Sequence, residues 1–378
     1  MKFIFLIAAF NAFFFAILLF QKKLWALHDK ILLLWLLYLG LFIGLYAFYS
    51  HELFTQFQLL SISFTSLFLL HGAFLFFYIS TLISPKRIFG KMNFLHFAPF
   101  VLFNGYLFAI SFFPNISETI RLDYAQVNIS PPFLFIFFLI ATLLSGPFYF
   151  VLSMRLFKKL DLNIFNNLSF SEEVDLIWLR KLVYVFGIIW TALIIITVIH
   201  HVFNLFSMVF CTDGLFLSLS VFVILIGYFG LKQKVIFSAD TENEQVFVEE
   251  TKIKYASSRL TDTEAKLFVD KLNNLMIAAK PFLNPNLTLL ELASELGIST
   301  HYLSQIINEK FDLNFFDYIN QYRVEEVKSK INDPKFENYS LLGIAFDSGF
   351  NSKSAFNRIF KKFTKQTPSQ YKSEIFKI

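Results

Sequence analysis

The sequence predicts an all-α chain in two parts. Seven apolar helices come first, then a polar region in which two short helix pairs flank a longer connecting helix. Three observations carry this reading. Seven runs of about 20 mostly apolar residues, the length a bilayer core requires, lie within residues 1–236. The Lys and Arg residues between those runs are dense in every second gap and sparse in the others. An Ala-x-x-x-Gly pattern, set in helical periodicity, occurs twice beyond residue 280.

Composition supports the division. Of 378 residues 56% are hydrophobic and 16% charged, far from the balance of one water-soluble domain. The same numbers exclude disorder, a collagen repeat and a disulfide scaffold. Residues 1–236 hold 40 of the 54 Phe but only 24 charged side chains, whereas residues 237–378 hold 14 Phe and 37 charges. The net charge of +5 arises in the apolar part. Cys211 stands alone, which excludes an intramolecular disulfide and a cysteine-based metal site.

The seven runs lie near 3–20, 31–49, 58–83, 94–113, 132–154, 182–206 and 214–231. The first has one basic residue before it, no small-x-small cleavage site after it, and Lys22-Lys23 as a flank, so it is read as a span and not as a cleaved leader. With seven spans, the gaps at 21–30, 84–93, 155–181 and the stretch after 231 share one side and, counted as far as Lys234, carry thirteen Lys or Arg; the other side carries Lys2 and Arg121. The positive-inside rule therefore puts the N-terminus outside and the polar region in the cytoplasm.

Polar residues within spans are costly and are candidate sites. His71 falls deep and His96 near the inner face, while Asn11, Asn104, His200, His201 and Asn204 share the outer half as a candidate signal pocket. The plainer reading is that these groups satisfy one another or interfacial water. Gly40-x-x-x-Gly44 predicts close helix contact, within the bundle or at a dimer face. Pro99 and Gly146-Pro147 predict kinks. Catalytic signatures fail: after His51-Glu52, Thr55 stands where a zinc protease needs its second His, and no GxSxG, P-loop or GxGxxG occurs. No enzyme, metal or cofactor is expected.

Residues 236–262 read as a linker between a membrane domain (1–235) and a polar domain (263–378). Residues 263–280 have helical periodicity, and Pro281 stops it. In the next segment, Ala293 lets two helices approach, Gly297 supplies a left-handed turn, and Ser299 caps a helix from Thr300 to Glu309. That is the spacing of a helix-turn-helix. A second unit follows, with Ala345 and Gly349 again four apart and a helix from Ser352 to Phe363. An amphipathic helix, Phe315 to Ile331, separates the two at a distance that suits successive major-groove segments. The fold class is therefore a seven-transmembrane-helix bundle followed by a cytoplasmic domain with two helix-turn-helix units joined by a linker helix.

The residues Ala293-x-x-x-Gly297-Ile298-Ser299, Leu303, Ile319-x-x-x-Arg323, Ile344-Ala345-x-x-x-Gly349-Phe350, Ser354-x-Phe356-x-Arg358-x-Phe360-Lys361-Lys362 and Thr367-Pro368-Ser369-x-Tyr371 occur in this order. In this the chain resembles the DNA-binding domain of AraC-type transcription regulators, over about 285–373. The resemblance implies base-reading positions at Thr300, His301, Ser304 and Gln305 in the first unit. In the second it implies Asn351, Lys353, Ser354, Asn357 and Arg358. Gln and Asn suit adenine, and Arg and Lys suit guanine. Ser299, Ser352, Lys361, Lys362 and Lys365 are placed for phosphate, and an ion pair with Asp347 is a rival role for Arg358. Lys365 departs from the family, which usually has Gly at that position.

The expected function is membrane-anchored, sequence-specific regulation of transcription, with double-stranded DNA and the lipid bilayer as partners. A small-molecule signal and a homodimer are further expected partners. The rivals are a membrane transporter or a membrane enzyme with an appended regulatory DNA-binding domain. The transporter predicts ionisable groups at mid-membrane, where only His71 qualifies.

Overall fold

The computed structural model describes residues 2–48, 58–83, 91–113, 132–170, 176–203, 208–232 and 262–375. Among them the chain is helical with no strand; Leu168 and Thr288 form one isolated antiparallel bridge. The chain divides into two compact units, one of residues 1–157 and 177–236, the other of residues 158–176 and 237–378.

The first unit contains α1 (Lys2–Leu19), α2 (Leu27–Ala47), α3 (Gln58–Ser66), α4 (Phe68–Ile83), α5 (Ala98–Ser111), the first part of α6 (Phe133–Asn167), α7 (Ile177–Phe203) and α8 (Met208–Lys232). Seven stretches are long and apolar enough to cross a bilayer, as the sequence predicts: Lys2–Leu19, Leu27–Ala47, Ile62–Ile83, Asn93–Ser111, Phe133–Asn167, Ile177–Ile196 and Asp213–Lys232. Helix α6 runs on to Asn167, past residue 154 where the fifth apolar run ends and through Lys158 and Lys159, because charged side chains do not end a helix once it leaves apolar surroundings.

Aromatic rings fill the centre of this unit. Phe42 and Phe216 are buried with ring centroids 5.0 Å apart, and Tyr46 stacks on Phe216 at 3.7 Å. Many large apolar side chains face outward instead, Phe3, Phe10, Phe108 and Phe133 among them. Water-soluble surfaces rarely carry such a belt. Gly40 and Gly44 face α1, where Phe13 and Ala9 fill the space that their missing side chains leave, so this pair is used inside the bundle.

Several polar groups in the apolar helices have partners. The Tyr38 hydroxyl donates to the Leu67 carbonyl at 2.7 Å, which leaves His71 Nε2–H to donate to the Tyr38 oxygen at 3.1 Å. His96 pairs with the Tyr149 hydroxyl at 3.0 Å. Pro147 cannot donate to the carbonyl four residues before it, that of Leu143. Trp190 Nε1 donates to that oxygen at 2.9 Å, and Gly146 makes room for the indole. Asp29, which the sequence reading passed over, is buried and accepts from Lys22 Nζ at 2.6 Å and from the Ala26 amide at 3.1 Å.

The second unit contains the end of α6, then α9 (Asp262–Ala278), α10 (Leu289–Leu296), α11 (Thr300–Phe311), α12 (Phe315–Asn332), α13 (Leu341–Phe346), α14 (Lys353–Thr364) and α15 (Pro368–Ile375). It has two cores, and α12 serves both. Phe315, Tyr318 and Ile319 of α12 join Leu272, Leu292, Leu303 and Ile307 in the first core. Phe316, Val324, Val327 and Ile331 join Ile344, Phe356, Ile359 and Phe360 in the second. Each such side chain contributes about 1.5–3 kcal/mol by leaving water. The sequence reading groups 158–176 with the apolar part. In the structure residues 158–170 pack in the second unit, because Phe165 lies edge-on to Phe316 and Leu168 is buried.

Candidate nucleic-acid interface

Helices α10 and α11 form the first helix-turn-helix. Thr288 and Glu291 make a reciprocal cap at the start of α10: Thr288 N–H donates to Glu291 Oε2 at 2.7 Å, and Glu291 N–H to Thr288 Oγ1 at 3.2 Å. Gly297 ends α10 at φ +70°, the left-handed conformation predicted for it. Ser299 then caps α11, its Oγ accepting from Tyr302 N–H at 3.2 Å. Leu303, Ile306 and Ile307 bury one face of α11. His301 lies exposed on the other, with Thr300, Ser304 and Gln305 half-buried beside it. Gln305 Nε2 donates to Glu309 at 3.0 Å, and Ser304 Oγ accepts from Asn308 at 3.4 Å.

Helices α13 and α14 repeat the design. Gly349 takes the turn at φ +91°, and Ser352 caps α14 by accepting from Ala355 N–H at 3.1 Å. Ala355, Phe356, Ile359 and Phe360 are buried, so Asn351, Lys353, Ser354, Asn357 and Arg358 are left exposed. A helix start with free amides and a capping hydroxyl is ready for phosphate, and both reading helices have one. Lys361 and Lys362 lie exposed in the last turn of α14. Lys362 Nζ is 2.6 Å from Asp317 of α12, so part of its charge is already compensated. Lys365 adopts φ +64° at the end of α14, doing with a side chain what glycine does more easily.

Between the two units stands Arg323 of α12, only 2% exposed. Its Nε donates to the Phe282 carbonyl at 2.8 Å, and Nη2 to the Asn284 carbonyl at 2.7 Å. Nη1 reaches Asn320 Oδ1 at 3.3 Å and the Ser169 carbonyl at 2.9 Å, and Nη2 also reaches Ser169 Oγ at 2.9 Å. All five acceptors are neutral. Burial pulls the guanidinium pKa down to about 9, and it stays cationic at neutral pH. Burial likewise raises the pKa of Tyr318, one turn from Tyr322 on the same helix. The sequence offered a signal for Arg323: it sits four residues after Ile319 on the buried stripe of an amphipathic helix. Nothing in the sequence pointed to Ser169.

Of the candidate pocket residues, Asn104 donates to Ser66 Oγ at 2.8 Å and to the Phe100 carbonyl at 2.9 Å. Asn11 is half-buried on α1, His200 and His201 belong to α7, and Asn204 lies outside the described residues.

A family model described as a helix-turn-helix domain matches residues 292–374. An uncharacterised HTH-type transcriptional regulator of Staphylococcus aureus strain COL is 30% identical over 122 residues, which are 32% of this chain and 16% of that protein. The Msm operon regulatory protein of Streptococcus mutans serotype c is 29% identical over 85 residues, 22% of this chain and 30% of that protein. The chain thus spans less than a third of the length of either relative. A solved structure of a protein of unknown function from Listeria innocua is 32% identical, covering 27% of this chain and 92% of that one at a TM-score of 0.24. The match falls on the segment whose two caps, two left-handed glycines and two polar reading faces are described above, and residues 292–374 are accordingly a helix-turn-helix domain of the AraC type.

Proposed function

We propose that the chain is a membrane-embedded, sequence-specific regulator of transcription. The observation that carries this reading is the pairing of two reading helices, each apolar inside and polar outside, with seven helices of bilayer length in one chain. The helix-turn-helix domain lies in the cytoplasm and the N-terminus outside, as the Lys and Arg bias requires. Thr300, His301, Ser304 and Gln305 read one major-groove segment, and Asn351, Lys353, Ser354, Asn357 and Arg358 read the next. Ser299, Ser352, Lys361, Lys362 and Lys365 hold phosphates. The apolar part receives a signal and biases the DNA-binding state; Asn11, Asn104, His200, His201 and Asn204 are its proposed entrance. A homodimer in the bilayer would add effective concentration on paired sites.

The test is chromosome occupancy of the full-length protein in its host, beside an Arg358→Ala control. Discrete peaks that vanish in the control are expected. A map without discrete peaks would sink the reading, and peaks kept in the control would remove Arg358 from the reading positions. Loss of signal response in the double variant His200→Ala, His201→Ala is expected of the proposed entrance, and a normal response would remove it.

A further inference from the structure

Residues 158–170 are the end of the fifth apolar stretch, Phe133–Asn167, and the three residues after it, yet they pack within the helix-turn-helix unit. Leu168 and Ser169 are buried there. Ser169 N–H donates to the Leu287 carbonyl at 3.2 Å, just before the cap of α10. The Ser169 carbonyl accepts from Arg323 Nη1 at 2.9 Å and from Asn320 Nδ2 at 3.1 Å, and Ser169 Oγ accepts from Arg323 Nη2 at 2.9 Å. Four residues earlier, Phe165 packs edge-on to Phe316 in the second core, with ring centroids 5.4 Å apart. The segment therefore touches the entry to the first helix-turn-helix, the joining helix α12 and, through Phe316 of that helix, the second core.

We propose that residues 158–170 are a clasp through which the apolar part controls DNA binding, with Ser169 as a positioning residue that holds the two reading helices in the setting DNA requires. This rests on the DNA-binding reading above. Two of the five hydrogen bonds of Arg323 end on Ser169. A buried cation that loses acceptors must find others or move, because leaving it unsatisfied costs more than the bonds themselves contributed. Gly349, at the turn before α14, packs against Arg323 Nε. A shift of Arg323 is thereby passed to the second reading helix, while Leu287 ties the same segment to the first. Since α6 runs into the clasp and ends two residues before Ser169, a change in the setting of α6 moves Ser169 with it.

The experiment uses the full-length chain in lipid nanodiscs and a DNA fragment recovered by occupancy mapping of the wild type. Ser169→Pro removes the bond to Leu287, and Ser169→Ala removes only the Oγ acceptor. Affinity should fall about tenfold for the first and about threefold for the second, changes of the size that one or two ordinary hydrogen bonds contribute. Wild-type affinity should also drop sharply when one base pair is inserted between the two half-sites, and Ser169→Pro should flatten that dependence. Non-specific binding should be unchanged, which a general loss of folding would not permit. Hydrogen exchange at residues 168–170 and 287–291 reports release of the clasp. Released residues with wild-type affinity and wild-type spacing dependence would overturn the proposal. Should Ser169→Pro misfold, an unchanged affinity and spacing dependence in Ser169→Ala would overturn it alone. If the wild type binds no recovered fragment while Arg358→Ala behaves identically, the DNA-binding reading fails, and the clasp with it.

Discussion

Gly349 lies so close to Phe282 that a Cβ at position 349 would overlap the Phe282 carbonyl oxygen. The same Cβ would stand 2.9 Å from Arg323 Nε, and the backbone there has φ +91°. The turn of the second helix-turn-helix is thus pressed against the segment that precedes the first. Gly349→Ala meets two penalties, a left-handed residue with a side chain and an overlap with backbone. Together they should destabilise the domain by about 3 kcal/mol. Chemical denaturation of the full-length chain, read by proteolysis of the helix-turn-helix region, should show the loss; a midpoint within error of wild type would contradict it.

Lys365 presents the opposite case. Its φ of +64° suits glycine, so Lys365→Gly should relieve strain and stabilise the domain by about 0.5–1 kcal/mol after the added chain entropy is subtracted. If Lys365 holds a phosphate, the same variant should lower DNA affinity and reduce the slope of log affinity against log salt by about 1. Stability and affinity moving in opposite directions is the expected result. A variant that is more stable and binds DNA with an unchanged salt slope would take Lys365 off the phosphate face.

Lys361 and Lys362 are neighbours with different prospects. Lys362 is paired with Asp317 and Lys361 has an exposed ammonium in the same turn. Lys361→Ala should therefore reduce the salt slope by about 0.9, and Lys362→Ala by clearly less. Equal slopes for the two variants would mean that Lys362 leaves Asp317 when DNA arrives.

Arg358 stands exposed on the reading face of α14. Arg358→Ala should weaken specific binding by about 1–3 kcal/mol and relax preference at one base position. Binding to a panel of single-base variants would show this directly, and an unchanged preference profile would exclude base reading by Arg358.

Trp190 supplies the hydrogen bond that Pro147 cannot make to Leu143. Trp190→Phe should cost about 1–3 kcal/mol, because a carbonyl in an apolar setting loses its donor. Adding Pro147→Ala restores a backbone donor on α6 and should recover part of that loss. Thermal unfolding in detergent over the full mutant cycle measures the coupling. Purely additive effects would show that the indole matters only as packing.

Much of this architecture was legible from the chain because its signals are local. A bilayer span requires its twenty apolar residues in one run, and Leu27–Ala47 shows them. Gly297 and Ser299 lie within a few residues of the turn and cap they make. The apolar spacing in Ala355, Phe356, Ile359 and Phe360 determines which side chains of α14 are left for DNA. The joint at Arg323 was hidden for the opposite reason. Ser169 and Arg323 are 154 positions apart, and a lone serine beside Leu168 has no periodicity to mark it. Trp190 and Leu143 meet in the same way: Pro147 announces an orphan carbonyl but not who will satisfy it. The extension of α6 to Asn167 was masked by its lysines, which suit a helix as well as they suit a loop.

The division of α12 between two cores has a consequence for how such a reader changes over generations. Phe315 and Ile319 belong to one core, Phe316 and Val327 to the other, and the reading helices share no buried side chain. Substitutions on α11 and α14 are then independent, and their effects on binding should add. A target sequence recognised this way consists of two short words with a fixed gap. Either word can be respelled without disturbing the other, while the gap is written into α12 and the contacts that hold it. Descendants of this domain can therefore acquire new vocabularies one word at a time and keep the same punctuation.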